Sequence, residues 1–150
     1  MSQDQIQDQI QDQFAIQAVL NTYARACDAR DWPALQDVFE RDVSVDYGGV
    51  YRLDGRDEVV AMIRSMLGGC GPTQHLLGNY DIAVHGDTAC SSVYVRAVHA
   101  GLGEEADTYY EVWAEYRDAL RRTDEGWRIF ERSMVVHKEV GDRGVLKPES

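Results

Sequence analysis

A carboxylate, two imidazoles and a phenol stand in this sequence where they could move a proton. Asp28 ends an amphipathic stretch, His75 lies in "TQHLLGN", His99 closes "VYVRAVH" and Tyr47 closes "VSVDY". A carboxylate that accepts a hydrogen bond from one imidazole nitrogen fixes the tautomer, leaving the other nitrogen free to act as a general base. A nearby tyrosine can donate to negative charge developing on a substrate oxygen. Strand alternation orients these groups. Val93, Val95, Ala97 and His99 share one face, small and apolar, while Ser92, Tyr94 and Arg96 share the other. Thr73, His75, Leu77 and Asn79 share a face that is half apolar. Asp28 follows a helical stripe of Ile16, Leu20, Tyr23 and Cys27, so its carboxylate falls at the rim of the same interior. A carboxylate and two imidazoles in an apolar cavity are costly unless paired.

Each residue also has a plainer reading. His75 can be a hydrogen-bonded core residue, Asp28 a helix terminator, and Tyr47 a packed ring with its hydroxyl in water. His85 and His137 lie near strand ends without a partner and read as surface residues. Cys27 makes a poor nucleophile, because the charge of Asp28 beside it raises the thiol pKa. Asp28, His75 and His99 could in principle form a facial metal triad.

The elements that must hold these residues follow from periodicity. The N-terminus is a tetrad repeat, "SQDQIQDQIQDQF", whose Ile6, Ile10 and Phe14 form one stripe on a helical extension (1–13) that frays or docks loosely. Helix 1 proper covers about Phe14 to Asp28. A second helix is predicted from Asp31, with Pro33 in its first turn and Trp32, Leu35, Val38 and Phe39 on its apolar face. Val43 to Tyr47 alternates as a short strand. "GRDEVVAMIRSML" reads as a third helix with Val59, Ile63, Met66 and Leu67 inward. Four β-rich segments follow, joined by turns at Gly86-Asp87, Gly101 to Glu105 and Asp124 to Gly126, and 141–150 reads as a solvated tail. Helices first and a long meander second predicts an α+β fold, helices packed on one face of a curved, mostly antiparallel sheet, in one domain over 1–150.

Charge and composition narrow the partners. The 150 residues carry a net charge of −11, which opposes binding to nucleic acid and to anionic membranes. A small neutral or weakly polar substrate is the least constrained option. The first residues have neither the basic start nor the apolar segment of a secretory signal, so a cytoplasmic location is the expectation. Three cysteines without ligand spacing suggest reduced thiols.

Taken in order, "YARACDARDWPALQDVFERDVSVDY", the "GR" that opens a helix, "TQHLLGN", "VYVRAVH" and "YRDALRRTDEGWRIFER" resemble the SnoaL-like family. These are cone-shaped α+β barrels of the nuclear transport factor 2 superfamily, among which scytalone dehydratase is most similar in function. Hexachlorocyclohexane dehydrochlorinase and bile-acid 7α-dehydratase are more distant cousins. The resemblance covers about Ala15 to Val140. It implies that Asp28 and His75 are a catalytic pair, with Tyr47 polarising a substrate carbonyl through water. It puts His99 at the second active-site histidine and Tyr23 at the bile-acid dehydratase's tyrosine. Two departures stand out: Cys27 replaces a tyrosine, and Tyr110 and Val112 fall near a Ser/Asn pair, making that wall of the substrate pocket more aromatic and less polar. The implied activity is cofactor-free elimination of water or another small leaving group from a cyclic or aromatic-derived substrate, with the triad residues moving protons instead of holding metal. Isomerisation, carbon–carbon cleavage, polyketide-type cyclisation, or ligand binding without catalysis are the alternatives on the same scaffold. An exposed sheet face with Tyr94, Tyr109 and Trp113 suggests an interface, and the dehydratase relatives imply a homotrimer.

Overall fold

The computed structural model describes residues 1–150 and begins with one long helix, α1 (Gln3–Ala29). A reciprocal cap starts it: the Gln5 amide donates to Ser2 Oγ at 3.2 Å, and the Ser2 amide donates to Gln5 Oε1 at 2.8 Å. Ile16, Leu20, Tyr23 and Cys27 form its buried stripe, as their spacing predicts. The tetrad repeat continues the same helix, with Ile6, Ile10 and Phe14 exposed. Its root is tied to the body by Arg122, which donates to both carboxylate oxygens of Asp12 at 2.8 Å.

The segment after α1 differs from expectation. In place of a second helix the chain makes a 3-10 turn, Pro33–Asp37, and Phe39 already opens strand β1 (Phe39–Tyr47). The cause is competition for backbone groups. The Val38 carbonyl accepts from the Ile129 amide at 2.9 Å, so sheet pairing takes an acceptor that a further helical turn needs. A short strand absent from the sequence reading, β2 (Tyr51–Asp54), folds back on β1 through Gly48 and Gly49, both in the left-handed region.

Helix α2 (Arg56–Leu67) buries Val59, Ile63 and Leu67, leaving Met66 half-buried. The remaining strands are β3 (Thr73–His85), β4 (Thr88–Ala100), β5 (Tyr109–Thr123) and β6 (Gly126–Gly141). They form one six-stranded sheet in the order β2-β1-β6-β5-β4-β3, in which only β1 and β6 pair in parallel. The two helices pack on this curved mixed sheet, the expected α+β architecture.

Two further expectations change. Asn79 does not share a face with Thr73, His75 and Leu77. It adopts φ 53° in a bulge between Gly78 and Asp81, is exposed, and hands the inward positions to Tyr80, Ile82 and Val84. The segment 141–150 is not a free tail. Val145 is 1% exposed, and Lys147 runs beside the end of α2, its amide donating to the Met66 carbonyl at 2.9 Å.

Candidate active site

The end of α1 and the start of β3 meet at one carboxylate. Asp28 Oδ1 lies 2.7 Å from His75 Nδ1 and accepts from Thr73 Oγ1 at 2.9 Å, while Oδ2 accepts from the His75 amide at 3.0 Å. Burial works to raise the Asp28 pKa, but the donors from His75 and Thr73 outweigh it and hold the carboxyl below its usual range. An ionised Asp28 can only accept, so His75 Nδ1–H donates to it and Nε2 is the ring nitrogen turned away from the carboxylate. The His75 side chain is 6% exposed and borders an apolar cavity of about 210 Å³.

A set of tyrosines adjoins His75, the Tyr23 ring standing edge-on to it at 6.4 Å between centroids. The hydroxyls of Tyr23 and Tyr47 lie 3.0 Å apart, and Tyr116 packs edge-on to Tyr23 with ring centroids 5.6 Å apart. Burial pushes the pKa of all three phenols up, so each keeps its proton at neutral pH. Behind them lies Arg132, 1% exposed, whose guanidinium carbon sits 4.0 Å from the Tyr116 ring centroid and 4.3 Å from that of Tyr23. Asp118 clamps it at 2.7 and 2.9 Å. Burial disfavours the charged guanidinium, but this carboxylate more than offsets the penalty and keeps the pKa well above its ordinary value.

His99 and Tyr110 form the third side. The His99 ring stands perpendicular to that of His75 at 5.4 Å between centroids, and its Nδ1 donates to the Tyr110 carbonyl at 3.0 Å. Burial, with the neighbouring His75 adding to it, pulls the His99 pKa down to about 4. His99 is thus neutral at pH 7, with Nε2 as an acceptor. The Tyr110 hydroxyl donates to Glu139 Oε1 at 2.5 Å, and Arg143 lies 3.7 Å from the same oxygen. Val112, Met134 and Val136 complete an apolar wall, with Met62 and Met66 of α2 and Leu146 lining the same cavity.

Six of the residues picked out by sequence (Tyr23, Tyr47, His75, His99, Tyr110 and Val112) line this one cavity, and Asp28 lies directly behind His75. His85 and His137 are exposed, as expected, but His137 is not without a partner, its Nε2 lying 3.6 Å from Glu115 Oε2. Cys27 is fully buried with its pKa pushed up to about 12, chiefly by burial, with Asp28 a smaller contributor. Arg132, Asp118 and Tyr116 escaped the sequence reading. Tyr116 was within reach, because it shares the parity of Tyr110 and Val112. Arg132 was not: counting alternately from Trp127 and Ile129 turns Glu131 inward, but an extra residue at Phe130 reverses the parity.

Comparison with known proteins places this chain in a family. The family model described as a SnoaL-like domain matches residues 8–133. The uncharacterized protein Rv2910c of Mycobacterium tuberculosis is 35% identical over 120 residues, 78% of this chain and 80% of the relative. Among solved structures, a candidate aromatic ring hydroxylase from Novosphingobium aromaticivorans superposes with a TM-score of 0.80 at 28% identity, covering 89% of this chain and 94% of its own. A candidate scytalone dehydratase from the same organism gives 0.79 at 19% identity, covering 93% of each chain. A hexachlorocyclohexane dehydrochlorinase, LinA type 2, gives 0.79 at 17% identity, covering 95% of this chain and 96% of its own. The chain belongs to the SnoaL-like domain family.

Proposed function

We propose that this cavity is the active site of a cofactor-independent lyase that eliminates water or another small leaving group from a neutral, ring-containing substrate. The observation that carries the reading is the 2.7 Å pairing of Asp28 with His75 at the wall of an apolar cavity that paired tyrosine hydroxyls also line. In this reading His75 Nε2 takes a proton from carbon next to a carbonyl, and Asp28 stabilises the imidazolium that forms. Tyr47, supported by Tyr23, donates to the oxygen on which negative charge develops. The leaving hydroxyl then takes the proton back from His75, so that water departs and the catalyst is restored. His99, neutral, accepts a hydrogen bond from a substrate hydroxyl. Neutral substrate is favoured because Asp118 offsets the charge of Arg132 and Glu139 that of Arg143.

The test is a screen of β-hydroxy carbonyls and hydroxylated aromatics for elimination products, followed by variants. His75→Ala and Asp28→Asn are expected to lower kcat by about 10²–10⁴-fold and Tyr47→Phe by about 10²–10³-fold. Wild-type turnover in both dyad variants sinks the proposal. The same donors suit any reaction through a stabilised carbanion, so solvent deuterium entering substrate without loss of a group marks an isomerase instead. The proposal extends to assembly: the outer sheet face carries Leu76, Tyr94, Val98, Tyr109 and Trp113 exposed, which supports association of copies, a homotrimer by family likeness.

A further inference from the structure

Arg30 occupies a position that does not suit it. It closes α1 in the left-handed region (φ 58°, ψ 31°), where glycine is favoured and an ordinary side chain is strained. Capping alone does not require an arginine. The guanidinium does donate to the Cys27 and Asp28 carbonyls at 2.9 and 3.3 Å, but its two shortest bonds cross to the start of β3. Those run to the Gly71 carbonyl and to Thr73 Oγ1, both at 2.7 Å. Gly71 is itself pinned, since a Cβ there would lie 2.3 Å from the Gly101 carbonyl oxygen.

The Thr73 hydroxyl has one proton. Arg30 can only donate, so Thr73 Oγ1 accepts from it and directs its own proton to Asp28 Oδ1 at 2.9 Å. That oxygen is the one facing His75 Nδ1. We propose that Arg30 and Thr73 are positioning residues for the dyad: the guanidinium orients the Thr73 hydroxyl, and the hydroxyl locks the Asp28 carboxylate in the plane that meets His75. The inference rests on the dyad reading above and adds to it two residues that touch no substrate.

NMR of the full chain, labelled at histidine ring nitrogens and aspartate carboxyl carbons, separates the two. A wild-type His75 protonated on Nε2 instead of Nδ1 removes the dyad reading and this inference with it. With the proton on Nδ1, Thr73→Val and Arg30→Gly are each expected to raise the Asp28 titration midpoint above wild type and to reduce the Nδ1–H population of His75. Thr73→Ser, which keeps the hydroxyl, restores both signals. Glycine suits the backbone at position 30, so Arg30→Gly is expected to keep the melting temperature while losing the positioning, a combination that a pure helix cap does not produce. Asp28 and His75 signals unchanged from wild type in both Thr73→Val and Arg30→Gly, or Thr73→Ser behaving like Thr73→Val, overturn the inference while leaving the dyad intact.

Discussion

His99 ties the chemistry of the cavity to the stability of the fold. Its folded pKa is depressed from 6.5 to about 4, so the folded state resists its protonation and the unfolded state does not. The stabilisation linked to it is therefore complete above about pH 6.5 and is lost as pH falls towards 4, on the order of 3 kcal/mol in all. Urea titrations of the wild type and His99→Gln between pH 7.5 and 4 are expected to show a steeper acid-side loss in the wild type. Parallel curves for the two proteins would contradict the assignment. How much of the site could be read beforehand is visible in the same residue. His99 sits in an unbroken run of alternation, so its inward direction follows from its neighbours. Asp28 and Tyr47 lie at the ends of regular elements, where periodicity says little, and the roles proposed for them came from likeness to a family. Arg132 lies just past a bulge, and Arg30 relies on a backbone conformation that its residue type disfavours; neither leaves a periodic trace.

Elements of regular period were legible, and elements decided by distant partners were not. The α1 stripe, α2 and the β4 alternation follow from local sequence, because one face of each is buried over several turns or pleats. The 3-10 turn at Pro33–Asp37, strand β2 and the C-terminal segment depend on pairing with residues far along the chain. The last of these has a measurable consequence. Val145 is buried and Leu146 borders the cavity, so the segment reads as a strap across the site and not as a tail. Val145→Ala removes two buried methyl groups and is expected to cost about 2 kcal/mol, read as a lowered urea midpoint at an unchanged slope. By contrast, Met1 to Asp8 are exposed on every side, so deleting 1–8 is expected to leave that midpoint within error. A loss on deletion equal to that of Val145→Ala would mean that the first two turns of α1 have a partner in solution.

At the scale of the whole molecule, two features pull in opposite directions. Leu76, Tyr94, Val98 and Trp113 come from the outward face of three adjacent strands, and register sets Leu76, Arg96 and Trp113 in one row. Arg96, in the middle of that row, stacks 4.4 Å from the Trp113 ring centroid and pairs with Glu111, so apolar side chains surround one neutralised charge. Against this, each copy carries a net charge of −11, so copies repel one another at long range. Screening weakens that repulsion beyond about 8 Å at physiological ionic strength, whereas burial of apolar surface gains nothing from dilution of salt. The proposed assembly should therefore tighten as salt rises from 10 to about 150 mM, the reverse of a complex held by opposite charges. Trp113→Glu, which replaces an apolar ring of the patch by a further negative charge, is expected to yield monomer at both salt concentrations with the cavity residues undisturbed. Light scattering coupled to size exclusion reads both effects. A wild-type monomer at micromolar concentration and moderate salt, or a Trp113→Glu variant that assembles like the wild type, means that this face meets something other than a second copy of the chain.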